Sequence, residues 1–361
     1  MEQSDRILEQ ERRRGRGALT CAPGRFERHD RVAVQDGWDI AEELTPLRTE
    51  IREERARSII NYVSSPDLPF DRSINPFRGC EHGCVYCFAR PSHAYMGMSP
   101  GLDFETRLTV RRNAPEQLAK ELSRPGYKVA PIAIGTNTDP YQPVERDEGV
   151  MRACLEVLAD HQHPVAIVTK GAMIERDLDI LAPMAEAGLV RVGISVTSLD
   201  AKLSRRMEPR CPSPQRRLQT IEQLVEAGIP VRVMASPLVP GLTDHELEQI
   251  IERAAEAGAT SASYIMLRLP REVAGLWEDW LKHHYPNRFN RVMGHLRDMH
   301  GGAVYSAQWH KRMRGEGSYA DLIAQRFRRV IRRLGIDAAQ PALRCDLFRI
   351  PPRTGDQLDL F

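Results

Sequence analysis

Three cysteines fall within eight residues in the stretch GCEHGCVYCFARP, residues 79–91, spaced C-x3-C-x2-C as Cys80, Cys84 and Cys87. Thiolates are ligands for soft metals, and a structural zinc site closes its shell with four thiolates or imidazoles. No second C-x2-C unit exists, and Cys154, Cys211 and Cys345 are scattered through other segments. His82 inside the loop and His93 just after it are the imidazoles that keep zinc open as a reading. The other chemistry open to three thiolates is a cubane iron–sulfur cluster that leaves one iron free for a small molecule.

A loop of this kind needs a scaffold. Short runs rich in Val and Ile recur at 130–136, 164–171, 189–197, 230–237 and 261–270, each bounded by Gly, Pro or polar residues. Buried parallel strands have this signature. The segment 74–79 leading into the cysteines makes a sixth. Helix-like segments at 143–160, 173–187, 213–228 and 243–258 lie between the later strands, with Gly188, Gly228 and Gly258 placed to stop them. Thr243 and Glu246 have the spacing of a capping box. The alternation predicts an α/β fold, a partial (β/α)6 barrel of the TIM type, with chemistry at the C-terminal strand ends. The cysteine loop follows the first strand and so falls at that end. Cys211, in CPSPQRR, reads as a structural loop residue, and Cys154 as helix core.

With Tyr86 just before the last cysteine, the motif resembles the signature of the radical S-adenosylmethionine (SAM) superfamily. The resemblance implies the fold of the radical SAM core and a 4Fe–4S cluster on Cys80, Cys84 and Cys87. SAM would chelate the fourth iron through its amine and carboxylate. An electron from a donor such as flavodoxin or ferredoxin would then cleave SAM to methionine and a 5′-deoxyadenosyl radical. The second strand runs into GTNTDPYQPVE, residues 135–145, which resembles the spore photoproduct lyase branch of the superfamily. That likeness extends from about residue 70 to about residue 270. It implies that Thr136, Asn137, Thr138 and Asp139 face the SAM ammonium or ribose, and that Lys170 meets the carboxylate. Ser195 would contact ribose or the methionyl part, and Tyr86 would flank the adenine. The plainer readings are turn formers for Thr136–Thr138, a snorkelling lysine and a satisfied strand hydroxyl. One departure matters: spore photoproduct lyase carries, beside this motif, a cysteine that returns a hydrogen atom, and GTNTDPY has none. Tyr95 and Tyr141 stand open as donors, and no catalytic residue is assigned. The RGRGA arm before the barrel is similar to that of an uncharacterised bacterial group related to the lyase.

The chain divides into a charged N-terminal arm (1–60), a core domain (66–300), a basic C-terminal helical extension (301–350) and a tail (351–361). The arm is too poor in apolar residues to bury much surface, so it is expected to be solvated or laid over the body. The extension holds an amphipathic helix over 318–334, with Tyr319, Leu322, Ile323, Phe327, Val330, Ile331 and Leu334 on one face. Residues 311–333 carry eight basic residues, Lys311, Arg312, Arg314, Arg326, Arg328, Arg329, Arg332 and Arg333, against Glu316 and Asp321. The acidic stretch Glu42, Glu43, Glu50, Glu53 and Glu54 could neutralise them, and Trp309-His310 could stack a base. The last residues, Gln357–Phe361 (QLDLF), resemble the pentapeptide that docks bacterial repair proteins on the replication sliding clamp.

The whole chain has a formal charge of only +2, so any nucleic-acid affinity must be local. No run approaches the ~18 apolar residues that cross a bilayer, and the opening residues MEQSDRILEQERRRGRG lack the apolar core of a signal peptide. The unpaired cysteines fit a reducing cytoplasm. A radical SAM enzyme for DNA repair or modification is the leading expectation. The alternatives are modification of a protein, RNA or small metabolite, and a non-enzymatic, metal-stapled binder of DNA or the clamp.

Overall fold

The structure is a computed structural model that describes residues 7–8, 12–27 and 46–352. Among the described residues there are ten strands: β1 (Glu50–Glu53), β2 (Ile60–Tyr62), β3 (Arg72–Ile74), β4 (Phe77–Arg78), β5 (Arg107–Val110), β6 (Ile132–Ile134), β7 (Val165–Thr169), β8 (Val190–Ser195), β9 (Val231–Leu238) and β10 (Ser261–Met266). The main sheet runs β10-β9-β8-β7-β6-β3-β2. Its six strands from β3 to β10 pair in parallel, and β2 lies antiparallel on the β3 edge. Five of these match the runs expected from the sequence; the expected segment 74–79 shares only Ile74 with β3, and its Phe77–Arg78 is β4, a strand of a separate three-stranded sheet. Val190, Val192 and Ile194 of β8 and Val231, Val233 and Ala235 of β9 point outward into one core shared with the surrounding helices. The alternate positions, such as Gly193 and Met234, face the barrel interior. Gly188, Gly228 and Gly258 end their helices at φ of 73°, 76° and 94°, a left-handed conformation that glycine adopts without cost.

The capping box does not form. The Thr243 hydroxyl accepts instead from the Val239 N–H at 2.9 Å, and Glu246 accepts from the Leu199 N–H. That stretch becomes a short 3-10 turn, with the helix at Leu247–Glu256.

The sheet's free edges, β10 and β2, are bridged by residues 301–317. Met266 N–H donates to Met313 O at 2.8 Å, and Arg312 clasps Asp67 of the β2–β3 hairpin at 2.6 and 2.7 Å. The helix Ser318–Arg333 then packs on Leu247–Glu256, with Ile323 and Val330 buried and Phe327 against Tyr264. Leu322, expected on the apolar face, is 49% exposed. Beyond Gly335 the chain runs beneath the N-terminal strand ends. Gln340 meets Thr260 and Arg232, Arg191 bonds Pro341 O, and Arg344 N–H donates to Gly188 O. Phe348 closes the strap against Tyr127, His161 and His163. Pro352 therefore leaves from the face opposite the cysteine loop, and Gln357–Phe361 lies outside the described residues.

The described residues of the N-terminal arm are laid over the body. Ala18 and Leu19 are buried, and β1 pairs with β5 in a small second sheet completed by β4. Its acidic residues serve this contact rather than the basic helix: Glu50 pairs with Arg107, Glu53 with Arg112, and Glu54 with Arg78 and Arg111. Glu42 and Glu43 lie outside the described residues.

Burial under the strap pushes the His163 imidazole down to about 4 from its ordinary 6.5. The folded state thus holds it neutral, and the unfolded chain binds the proton more readily. Its stabilising contribution is complete above pH 6.5 and is lost as pH falls towards 4. Chemical denaturation across that window should show falling stability, and His163→Gln should lessen the slope.

Candidate active site

The cysteine loop sits at the C-terminal end of β3 and is fixed from three sides. From within, the fully buried Arg90 donates to Cys84 O (2.9 Å), Gly83 O (3.2 Å), Pro100 O (3.0 Å) and Gly101 O (2.8 Å), and pairs with Glu105 at 2.5 Å. From the β6 end, buried Gln142 accepts from Glu81 N–H at 2.8 Å and donates to Gly79 O at 3.3 Å. From the β8 side, Val85 N–H donates to Met207 O at 3.0 Å and Arg210 N–H to His82 O at 3.3 Å. The arm adds a fourth contact. Glu105 accepts from Gly17 and Ala18 N–H, both at 2.8 Å. A Cβ on Gly17 would lie 1.8 Å from Gly83 O, so only glycine permits this approach.

The thiols of Cys80 and Cys84 are buried and that of Cys87 is half-buried; none is in a disulfide. The two imidazoles that left zinc open have other hydrogen-bond partners. His82 Nδ1 lies 3.3 Å from Asp139 and the ring also meets the Cys80 thiol, while His93 Nε2 bonds Arg107 O at 3.0 Å. Among the described residues no three Cys, His, Asp or Glu side chains converge on a point suited to one metal ion. Three thiols on a loop clamped by backbone bonds fit a cluster that offers each sulfur its own iron.

The GTNTDPY turn follows β6. Gly135 has φ of +84°, and a Cβ there would strike Val168 O at 1.8 Å. Thr136 and Asn137 are half-buried and make no side-chain hydrogen bond among the described residues. Thr138 donates to Phe77 O at 3.1 Å. Asp139 is fully engaged: it accepts from Tyr141 N–H, Thr169 Oγ1, Lys170 N–H and His82. Burial alone would raise its carboxyl, but His82 holds it well below the usual range. Lys170 ends β7 with its ammonium 5.9 Å from the centre of the Tyr86 ring. Burial disfavours its charge, yet Cys84 and Glu208 raise its pKa above the ordinary value. Ser195 ends β8, buried, with its carbonyl accepting from Arg217 at 3.1 Å. The strand ends therefore bring Tyr86, Thr136, Asn137, Lys170 and Ser195 to the mouth, while Thr138 and Asp139 brace it.

Sequence reading missed several residues here. Glu208 accepts from Tyr86 Oη and Thr197 Oγ1 and pairs with buried Arg217. Burial would raise its carboxyl, but Arg217 and Lys170 keep it ionised. Cys211 is not a remote loop residue: its sulfur lies 3.9 Å from Cys84 Sγ, and this contact lowers the Cys84 thiol to about 7. Tyr95 is 64% exposed and bonded to Arg271, and Tyr141 is buried against Asp177. Only Gln142, in DPYQPV, carried a signal, as part of the polar stretch after β6.

The model of the radical SAM superfamily matches residues 74–254, half of the chain, from the end of β3 into the helix after β9. The chain belongs to the radical SAM superfamily. An uncharacterised protein of Mycobacterium tuberculosis is 38% identical over 238 residues, covering 65% of this chain and 70% of its own. Among solved structures, spore photoproduct lyase complexed with dinucleoside spore photoproduct aligns with a TM-score of 0.56 at 14% identity, over 79% of each chain. A mutant of that lyase with bound S-adenosylmethionine and the same dinucleoside aligns at 0.52, with 14% identity and the same coverage. Radical SAM enzymes work with a 4Fe–4S cluster and SAM, and this chain is an enzyme of that type. Among the described residues no helix is long and apolar enough to cross a membrane.

Removing one partner of a buried ion pair leaves an uncompensated charge. Glu208→Gln should cost about 3–5 kcal/mol in urea unfolding, and the double variant Glu208→Gln with Arg217→Met should cost less than the single.

Proposed function

We propose that this radical SAM enzyme holds its cluster on Cys80, Cys84 and Cys87, binds SAM across the strand ends, and repairs or modifies DNA. Bound together, the cluster and SAM would supply one-electron chemistry able to remove a hydrogen atom from an unactivated C–H bond. The protein's own residues do the positioning. Lys170 offers an ammonium to the SAM carboxylate, while Thr136 and Asn137 offer hydrogen bonds to the ammonium or ribose. Ser195 faces the ribose or methionyl part, and Tyr86, its hydroxyl held by Glu208, presents its ring to the adenine. Thr138 and Asp139 act one step back, bracing Phe77 O, His82 and the Lys170 backbone.

The observation that carries the choice of DNA is the shared fold with an enzyme seen in complex with a dinucleoside lesion. The basic extension supports it in reduced form. Lys311, Arg312, Arg326 and Arg333 are paired with Glu316, Asp67, Glu248 and Glu252. Arg328, Arg329 and Arg332 carry no salt bridge among the described residues and line one groove with Gln325. A cytoplasmic setting and an electron donor such as flavodoxin or ferredoxin belong to the same reading. So does docking of Gln357–Phe361 on the bacterial sliding clamp.

Anaerobic reconstitution with iron and sulfide, then dithionite and SAM, should yield 5′-deoxyadenosine. Alanine at any of the three cysteines should abolish both cluster absorbance and product, and Lys170→Ala should weaken SAM binding by about tenfold, the loss of one charged hydrogen bond. Cluster-loaded protein that forms no 5′-deoxyadenosine would sink the enzymatic reading. Clamp retention unchanged on deleting residues 357–361 would end the docking proposal.

A further inference from the structure

At the mouth of the barrel, beside the cysteine loop, stands an arginine whose company is aromatic. Arg268 follows β10 by two residues, at the strand's C-terminal end. Its guanidinium carbon lies 4.9 Å from the ring centre of Phe88 and 6.0 Å from that of Tyr305. One terminal nitrogen donates to Tyr305 Oη at 3.4 Å, and the buried Nε has no partner. The arginines that build this fold are different: Arg90, Arg217 and Arg312 each have a carboxylate. Arg268 has none among the described residues. Phe88 immediately follows Cys87, yet its ring is 44% exposed. The exposed ring thus stands directly after Cys87 with the Arg268 guanidinium against it.

We infer that Phe88 and Arg268 form the substrate-holding platform of this enzyme, taking a nucleotide with its base against Phe88 and its phosphodiester on Arg268. This rests on the nucleic-acid reading above. A guanidinium between aromatic faces loses water from those faces but keeps its N–H edge, which matches the two oxygens of a phosphate. An exposed ring beside it stacks any base, so the platform selects an unstacked nucleotide rather than a sequence. Tyr305 belongs to the 301–317 segment that bridges the sheet edges, so the platform spans the cysteine loop, β10 and the seam between β10 and β2. A base held there lies next to the loop where the cluster binds.

Anisotropy of a labelled, short single-stranded DNA with anaerobic, cluster-loaded full-length protein, titrated across salt, separates the possibilities. Arg268→Ala should weaken binding about tenfold and reduce the slope of log affinity against log salt by about one. Arg268→Lys should keep the slope while losing affinity, because the charge stays and the fork is lost. Phe88→Ala should weaken binding by about tenfold with the slope unchanged, and Phe88→Trp should restore it. Iron content and thermal unfolding establish that each variant is folded. Wild-type binding that is salt-dependent but indifferent to all four substitutions would overturn the platform and leave the nucleic-acid reading intact. Wild-type protein that ignores DNA, or prefers a glutamate-rich peptide through Arg268, would overturn both.

Discussion

The guanidinium of Arg90, shut off from water, is the interaction on which the site depends. A buried arginine is tolerable only when its donors are all used, because an unpaired charge in the interior costs several kcal/mol. Arg90 meets that demand with four carbonyls of the 83–101 segment and the carboxylate of Glu105. The same carboxylate receives Gly17 and Ala18. One ion pair therefore sets the path of the cysteine loop, the helical turn at 103–106 and the arm that covers them. The backbone must be fixed in this way because the loop itself has little regular structure to hold it.

How much of this was legible in the sequence follows from the range of the forces involved. Five of the six parallel strands were legible from their Val- and Ile-rich runs, whereas β3, Arg72-Ser73-Ile74, has no apolar run to mark it. Helix stops at Gly188, Gly228 and Gly258 were legible because the left-handed turn is a local demand. The capping box at Thr243 failed because Val239, four residues upstream, offered its hydroxyl a better-placed donor. The arm looked solvated because its charges find partners only across long sequence separations, such as Arg16 with Glu105 and Glu54 with Arg111. The cysteine tripod was plain from spacing, whereas Cys211 and Glu208 reach the site by a loop after β8 whose direction no local pattern encodes.

The two ends of the barrel are used differently. The mouth gathers polar side chains and keeps Phe88 and Arg268 accessible, while the strap 336–349 seals the strand N-termini with Phe348 and backbone bonds. The segment 301–317 stops the edges of β10 and β2 from standing open, which limits strand pairing with other chains.

Charge balance around the tripod gives the polar residues a common purpose. Three thiols brought into a poorly hydrated pocket resist ionisation, as the rise of Cys87 to about 12 through burial and its neighbours' charge illustrates. Cys84 runs the other way, down to about 7, through the Cys211 contact and the charge of Lys170. A loop that must deliver thiolates therefore needs cations nearby that are themselves fixed. Lys170, held charged by Cys84 and Glu208, and Arg217, held charged by Glu208, meet that need. Glu208 in turn holds Tyr86 at the mouth. The residue that balances the pocket's charge also aims the ring proposed to meet the cofactor, so electrostatics and positioning cannot be separated by a single substitution there.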